Sequence, residues 1–123
     1  MSFKILVIDD SPTIRQQLRF TLSQAGYAVI EAEDGAQGVQ QLTSNVDTGV
    51  VICDVNMPKM SGLEFLTAVK NDVRVNKIPI VMLTTEGSAE TITKARAEGA
   101  KGWIVKPFKP EMLLDAVKKL AGG

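Results

Sequence analysis

Four short apolar runs in this chain are each followed at once by a residue that can do chemistry. Ile5-Leu6-Val7-Ile8 leads into Asp9-Asp10, Val50-Val51-Ile52-Cys53 into Asp54, Ile80-Val81-Met82-Leu83 into Thr84-Thr85, and Trp103-Ile104-Val105 into Lys106-Pro107. If the runs are parallel strands, three carboxylates, a hydroxyl and an ammonium meet at one edge of a sheet. Two carboxylates about 4 Å apart repel by roughly 4 kcal/mol at an effective dielectric of about 20. A hard divalent cation offsets that repulsion. Mg²⁺ is the natural choice, because it accepts a few carboxylate oxygens, keeps waters and takes a further ligand from a phosphate. Lys106 then offers a fixed positive charge to a phosphoryl oxygen, and Thr84 offers a hydroxyl donor. Such a set suits phosphoryl transfer, where positioning and charge neutralisation do most of the work. The carboxylate of Asp54 is the expected nucleophile, giving an aspartyl phosphate.

Each residue alone has a plainer reading. Asp9-Asp10 can complement the dipole of a following helix, Asp54 can be a loop acid, Thr84 a β-branched strand end and Lys106 a solvated lysine. Their joint placement after four runs is what carries the functional reading.

The runs are continuous and β-branched, as strands covered on both faces read. A fifth, Ala28-Val29-Ile30, is weaker, as is the run at Trp103, and both suit positions nearer the sheet edges. Helical patterns fill the gaps. Ser11 is an N-cap candidate with Pro12 at the first helical position. Ile14, Leu18 and Leu22 then share a face, and Gly26 marks the stop. Asp34-Gly35 opens a second helix carrying Val39 and Leu42. Gly62 precedes a third with Leu63, Leu66 and Val69. Ser88 can cap a fourth, with Glu90 in its first turn and Gly99 beyond its end. Pro110 opens the last, with Leu113, Val117 and Leu120 inward, and residues 71–77 form a polar connection. Five βα units predict a doubly wound (βα)5 α/β domain over residues 1–123, with a parallel five-stranded sheet and helices on both faces. Ligands bind such sheets beyond the carboxyl ends of the strands.

Composition narrows the function. The chain has 123 residues, which suits one domain, and 45% are hydrophobic, enough for a real core. Lys plus Arg equals Asp plus Glu at 14 each, so no global field draws nucleic acid or a membrane. No apolar run reaches the roughly 18 residues of a membrane span. The single cysteine, Cys53, cannot form an internal disulfide, and Met1-Ser2-Phe3-Lys4 lacks the apolar core of a secretory leader. A cytoplasmic, monomeric protein is the expectation. Histidine is absent, which removes Ser-His-Asp catalysis and His-ligated zinc. Any histidine in the mechanism comes from a partner.

The set Asp9-Asp10, Asp54, Thr84 and Lys106-Pro107 resembles the receiver domains of two-component response regulators over essentially the whole chain. Asp54-Val55-Asn56-Met57-Pro58-Lys59-Met60-Ser61-Gly62, Thr84-Thr85-Glu86 and Lys106-Pro107-Phe108 are most similar to the stand-alone chemotaxis receivers. The flavodoxin-like strand order 2-1-3-4-5 comes with that resemblance, since chemotaxis receivers share it. The resemblance implies that Asp10 and Asp54 bind Mg²⁺ (or Mn²⁺ in its place) directly. Asp9 acts through water and Asn56 supplies its backbone carbonyl. The Lys106–Pro107 peptide is expected to be cis, aiming the lysine inward. The donor is a phosphohistidine on a partner histidine kinase. Thr84 moves toward the phosphoryl group and an aromatic residue, here Trp103 where Tyr or Phe is usual, turns inward. Asn56 and Glu86 tune hydrolysis, and a phosphatase is a further partner. The output surface is helix 4, strand 5 and helix 5, with Ile92, Trp103 and Val105 at its centre and Lys94, Lys101, Lys118 and Lys119 around them. It suits an acidic, partly helical peptide, such as one from the flagellar motor switch.

Other readings share part of this pattern. The same chemistry can serve a phosphorelay intermediate or a phosphate sink. A transcription factor is not expected, since no DNA-binding domain follows Gly123. A small-molecule aspartyl-phosphate hydrolase tends to carry a second acid two residues after the nucleophile, where this chain has Asn56. A flavin carrier would hold its phosphate in a Ser/Thr/Gly-rich first loop, where this chain has Asp9-Asp10-Ser11-Pro12.

Overall fold

The computed structural model describes residues 3–55, 57, 60–84 and 89–120. Five strands and five helices alternate: β1 (Lys4–Ile8), α1 (Pro12–Gln24), β2 (Ala28–Ala32), α2 (Gly35–Ser44), β3 (Val50–Asp54), α3 (Gly62–Lys70), β4 (Ile80–Thr84), α4 (Ala89–Ala97), β5 (Gly102–Val105) and α5 (Pro110–Leu120). All pairings are parallel, in the order β2-β1-β3-β4-β5. The two weak apolar runs are thus the edge strands.

Side chains alternate across a strand, and each face of this sheet has its own helices. Ile5, Val7, Ile52 and Leu83 face Leu18 and Leu22 of α1 and Leu113 and Val117 of α5. Leu6, Ile8, Cys53 and Met82 face Leu42 of α2, Phe65, Leu66 and Val69 of α3, and Ala95 of α4. Ile14, Val39, Leu63 and Leu120 border these clusters half-buried. Phe65, unremarked in the sequence, is fully buried. No helix among the described residues is long and apolar enough to cross a membrane.

The helix boundaries follow local chemistry. Ser11 caps α1 by accepting from the Ile14 amide, with Pro12 at the first position. Asp34 caps α2 through the Gln37 amide. Gly62 does not precede α3 as its sequence position suggested; it is the first helical residue. Ser61 is the cap, in a reciprocal box with Glu64. Gly26 and Gly99 take φ of +93° and +104° after α1 and α4, a region open to glycine at little cost. Ser88, read as the cap of α4, lies outside the described residues.

Candidate active site at the carboxyl edge of the sheet

Parallel strands send all their carboxyl ends to one edge, and the reactive residues collect there. β3 and β4 run one residue further than their apolar runs. Asp54 pairs with Leu83, and Thr84 with Val105, so both belong to the last rung of the ladder rather than to loops. Each therefore inherits the rigidity of the sheet. Asp9 follows β1 directly, and its amide donates to the Ala32 carbonyl at 3.1 Å. Lys106 follows β5, and its amide donates to the Thr84 carbonyl at 2.7 Å. The Lys106–Pro107 peptide is cis.

Carboxylate oxygens of Asp9, Asp10 and Asp54 all lie within 4.8 Å of one another. Asp9 is fully buried, Asp54 is 5% exposed and Asp10 is open to solvent. The Lys106 ammonium stands 2.8 Å from Asp9 Oδ2 and 3.4 Å from Asp54 Oδ1. Asp9 Oδ2 is enclosed and accepts no aligned hydrogen bond, so Lys106 holds it as an ion pair. Asp9 Oδ1 accepts from the Ser11 amide at 2.9 Å. Burial alone would lower the Lys106 pKa and is the largest single influence on it. The carboxylates of Asp9 and Asp54 together outweigh it and hold the ammonium above its ordinary value. Cys53, beneath Asp54, is buried, and that desolvation, helped by the charges of Asp54 and Asp9, pushes its thiol well up.

The loop after Asp54 is closed by main-chain bonds. The Val55 amide donates to the Leu83 carbonyl at 3.0 Å, and the Gly62 amide to the Val55 carbonyl at 2.9 Å. A Cβ on Gly62 would sit 2.3 Å from the Asp54 carbonyl oxygen and 2.7 Å from Met82 Cε. Glycine is therefore demanded at the foot of the pocket, a role that its place in the sequence did not announce. Across the loop, the Gly35 amide donates to the Met60 carbonyl at 3.3 Å.

The donor set fits a hard divalent cation. Its ligands are oxygens, and three carboxylates crowd against a single ammonium among the described residues. Asn56 and Glu86, expected at the same site, lie outside the described residues.

Of the residues read as switch and output, Thr84 ends β4 at the pocket, whereas Ile92 lies on α4 and Trp103 and Val105 on β5. Trp103 pairs with Met82, is half-buried, and carries the Arg96 guanidinium 4.8 Å over its ring. Val105 is 46% exposed, and Ile92 is half-buried. A groove of about 370 Å³ runs between β5 and α5, lined among others by Lys101, Trp103, Met112, Asp115 and Lys119. Lys94, placed on the basic rim, pairs with Glu90 one turn back at 3.5 Å, which reduces its share of the field.

The family model for the response regulator receiver domain matches residues 5–118. The chemotaxis protein CheY1 of Helicobacter pylori is 46% identical over 121 residues, 97% of this chain and 97% of that protein. A chemotaxis protein CheY homolog of Campylobacter jejuni is 43% identical over 121 residues, 97% of this chain and 92% of the relative. Among solved structures, the chemotaxis protein CheY4 of Vibrio cholerae matches with a TM-score of 0.93 at 43% identity, covering 98% of this chain and 99% of that one.

Proposed function

The chain belongs to the response regulator receiver domain family, and on that premise we propose that it is a phosphorylatable switch in chemotaxis, formed by one receiver domain over residues 1–123 and working in the cytoplasm. Asp54 accepts a phosphoryl group from a phosphohistidine of a partner kinase. One observation carries the reading. The carboxylates of Asp9, Asp10 and Asp54 gather within 4.8 Å, beside an ammonium 2.8 Å from Asp9 and 3.4 Å from Asp54.

A carboxylate oxygen of Asp54 attacks phosphorus. The new P–O bond forms as the donor's P–N bond breaks, and the electron pair leaves with the partner's imidazole. Charge spreads over the equatorial oxygens in the transition state. Lys106, with its side chain 13% exposed, meets one of them with a charge that needs little reorganisation. The buried Thr84 offers its hydroxyl to another. Asp10 and Asp54 would hold Mg²⁺ (or Mn²⁺), with Asp9 acting through water and the Asn56 backbone carbonyl as a further ligand by family likeness. That cation, when bound, neutralises charge shared by carboxylates and phosphoryl group. Asn56 and Glu86 tune later hydrolysis, so the chain catalyses only its own phosphorylation and dephosphorylation, with a phosphatase as an added partner.

Output follows as Thr84 moves toward the phosphoryl group and Trp103 turns inward, remodelling the surface of α4, β5 and α5. Moving a switch from about 1% to 99% active takes roughly 5.5 kcal/mol of differential stabilisation, within reach of a covalent phosphoryl group and its cation. Exposed Val105 and half-buried Trp103 on β5, with Ile92 of α4 and with Lys101, Lys118 and Lys119, would make a surface that suits an acidic, partly helical peptide of the flagellar motor switch.

The test is the intact mass after treatment with acetyl phosphate and Mg²⁺. The protein is expected to gain one phosphoryl group at Asp54, and Asp54→Asn to gain none. Equal labelling of the variant would remove Asp54 from the role. Phosphorylation-dependent binding of a motor-switch peptide, set against a histidine phosphotransfer protein, separates the motor output from a relay or sink.

A further inference from the structure

Asp9 is tied at every polar atom. Its amide reaches the Ala32 carbonyl of β2, Oδ1 takes the Ser11 amide, and Oδ2 faces Lys106. Its carbonyl accepts a charge-assisted hydrogen bond from Arg15 Nη1 at 2.6 Å. Arg15 reaches back from the first turn of α1 with its side chain only 14% exposed. Its Nε donates to Glu31 Oε1 at 3.2 Å, and Glu31 sits on β2 immediately before Ala32. The second Glu31 oxygen is held by Arg19, one turn further along α1. The β1–α1 turn is thus fastened to β2 on both sides of Asp9, by a main-chain bond at its amide and by a guanidinium bridge at its carbonyl.

That carbonyl belongs to the peptide joining Asp9 to Asp10. Asp10 is exposed, so packing does not set its direction; the peptide before it does. We propose that Arg15, braced by Glu31, is a positioning residue for the acidic cluster, fixing the Asp9–Asp10 peptide so that both carboxylates converge with Asp54 on one cation. The inference rests on the cation-site reading given under Proposed function. It also makes a prediction of unusual sign. A guanidinium near a cation site repels the cation, so as a charge alone Arg15 weakens binding and its removal tightens it. As a positioning group its removal loosens binding.

The experiment measures Mn²⁺ binding to the purified, unphosphorylated full chain by electron paramagnetic resonance, at fixed pH and ionic strength. Wild type is expected to bind one ion, and Arg15→Met to bind about tenfold more weakly, the scale on which groups that orient metal ligands act. Arg15→Lys keeps the charge but offers a flexible single head in place of the fork, and it falls between the two. Arg15→Met binding Mn²⁺ as tightly as wild type, or more tightly, overturns the proposal. If Arg15→Met does not fold, Arg15→Lys indistinguishable from wild type overturns it instead. A wild-type chain that binds no Mn²⁺ refutes the cation-site reading itself, so the two failures are told apart.

Discussion

Asp10→Ala is expected to stabilise the metal-free protein while abolishing its response to Mg²⁺. The oxygens of Asp9, Asp10 and Asp54 lie within 4.8 Å of one another. Two unit charges at that separation repel by about 0.9 kcal/mol in water and about 3.5 kcal/mol at an effective dielectric of 20. Asp10 is exposed, so the water value is the better guide. Its two repulsions then sum to about 2 kcal/mol, and losing its attraction to Lys106 offsets roughly half, leaving about 1 kcal/mol gained on removal. In a domain of this size that is a rise of about 4 °C in Tm. Mg²⁺ at ten times its Kd adds about 1.4 kcal/mol to the wild type through mass action and nothing to the variant. The stability order therefore reverses between the two conditions. Thermal and urea unfolding, followed by circular dichroism in EDTA and again in Mg²⁺, reads both limbs. A variant less stable than wild type in EDTA, or one with an undiminished Mg²⁺ shift, would refute the picture of crowded carboxylates awaiting a cation.

Three other perturbations probe the same frame. Lys106→Met leaves the enclosed Asp9 carboxylate without its ion-pair partner and should cost about 3 kcal/mol, as breaking a buried pair does; a urea-derived loss under about 1 kcal/mol would contradict that role. Gly62→Ala forces a methyl against the Asp54 carbonyl and Met82; overpacking should destabilise the protein by about 2 kcal/mol and slow labelling by acetyl phosphate, and an unchanged unfolding midpoint would show that the loop yields freely. The Asp72 carboxyl accepts hydrogen bonds from the Arg74 side chain and amide, which hold its pKa below the ordinary carboxylate value. A depressed folded pKa means that the pair's contribution is present above the unfolded value of about 3.9 and fades as pH falls through the lower folded one. Carbon-13 NMR titration should show the Asp72 midpoint rising in Arg74→Ala, and no rise would mean that Arg74 does not set it.

Much of this molecule is legible from local pattern. β1, β3 and β4 announce themselves because a strand covered on both faces is a nearly continuous apolar run, broken here where Asp54 and Thr84 end β3 and β4. The cap at Ser11 and the helix start at Asp34-Gly35 are legible because the side chains of Ser11 and Asp34 satisfy amides of their own turns. The reactive residues could be named because each stands where an apolar run ends, and parallel topology sends all such ends to one edge. What folding alone decided is which atoms meet. No spacing along the chain tells that Lys106 pairs more closely with Asp9 than with Asp54, or that Gly62 lies on the Asp54 carbonyl. Nor does it tell that Arg15 clasps the turn through a glutamate 16 residues away. Those contacts arise from strand register and helix docking over long separations, where hydrophobic burial sets the geometry and polar groups are carried into place by it.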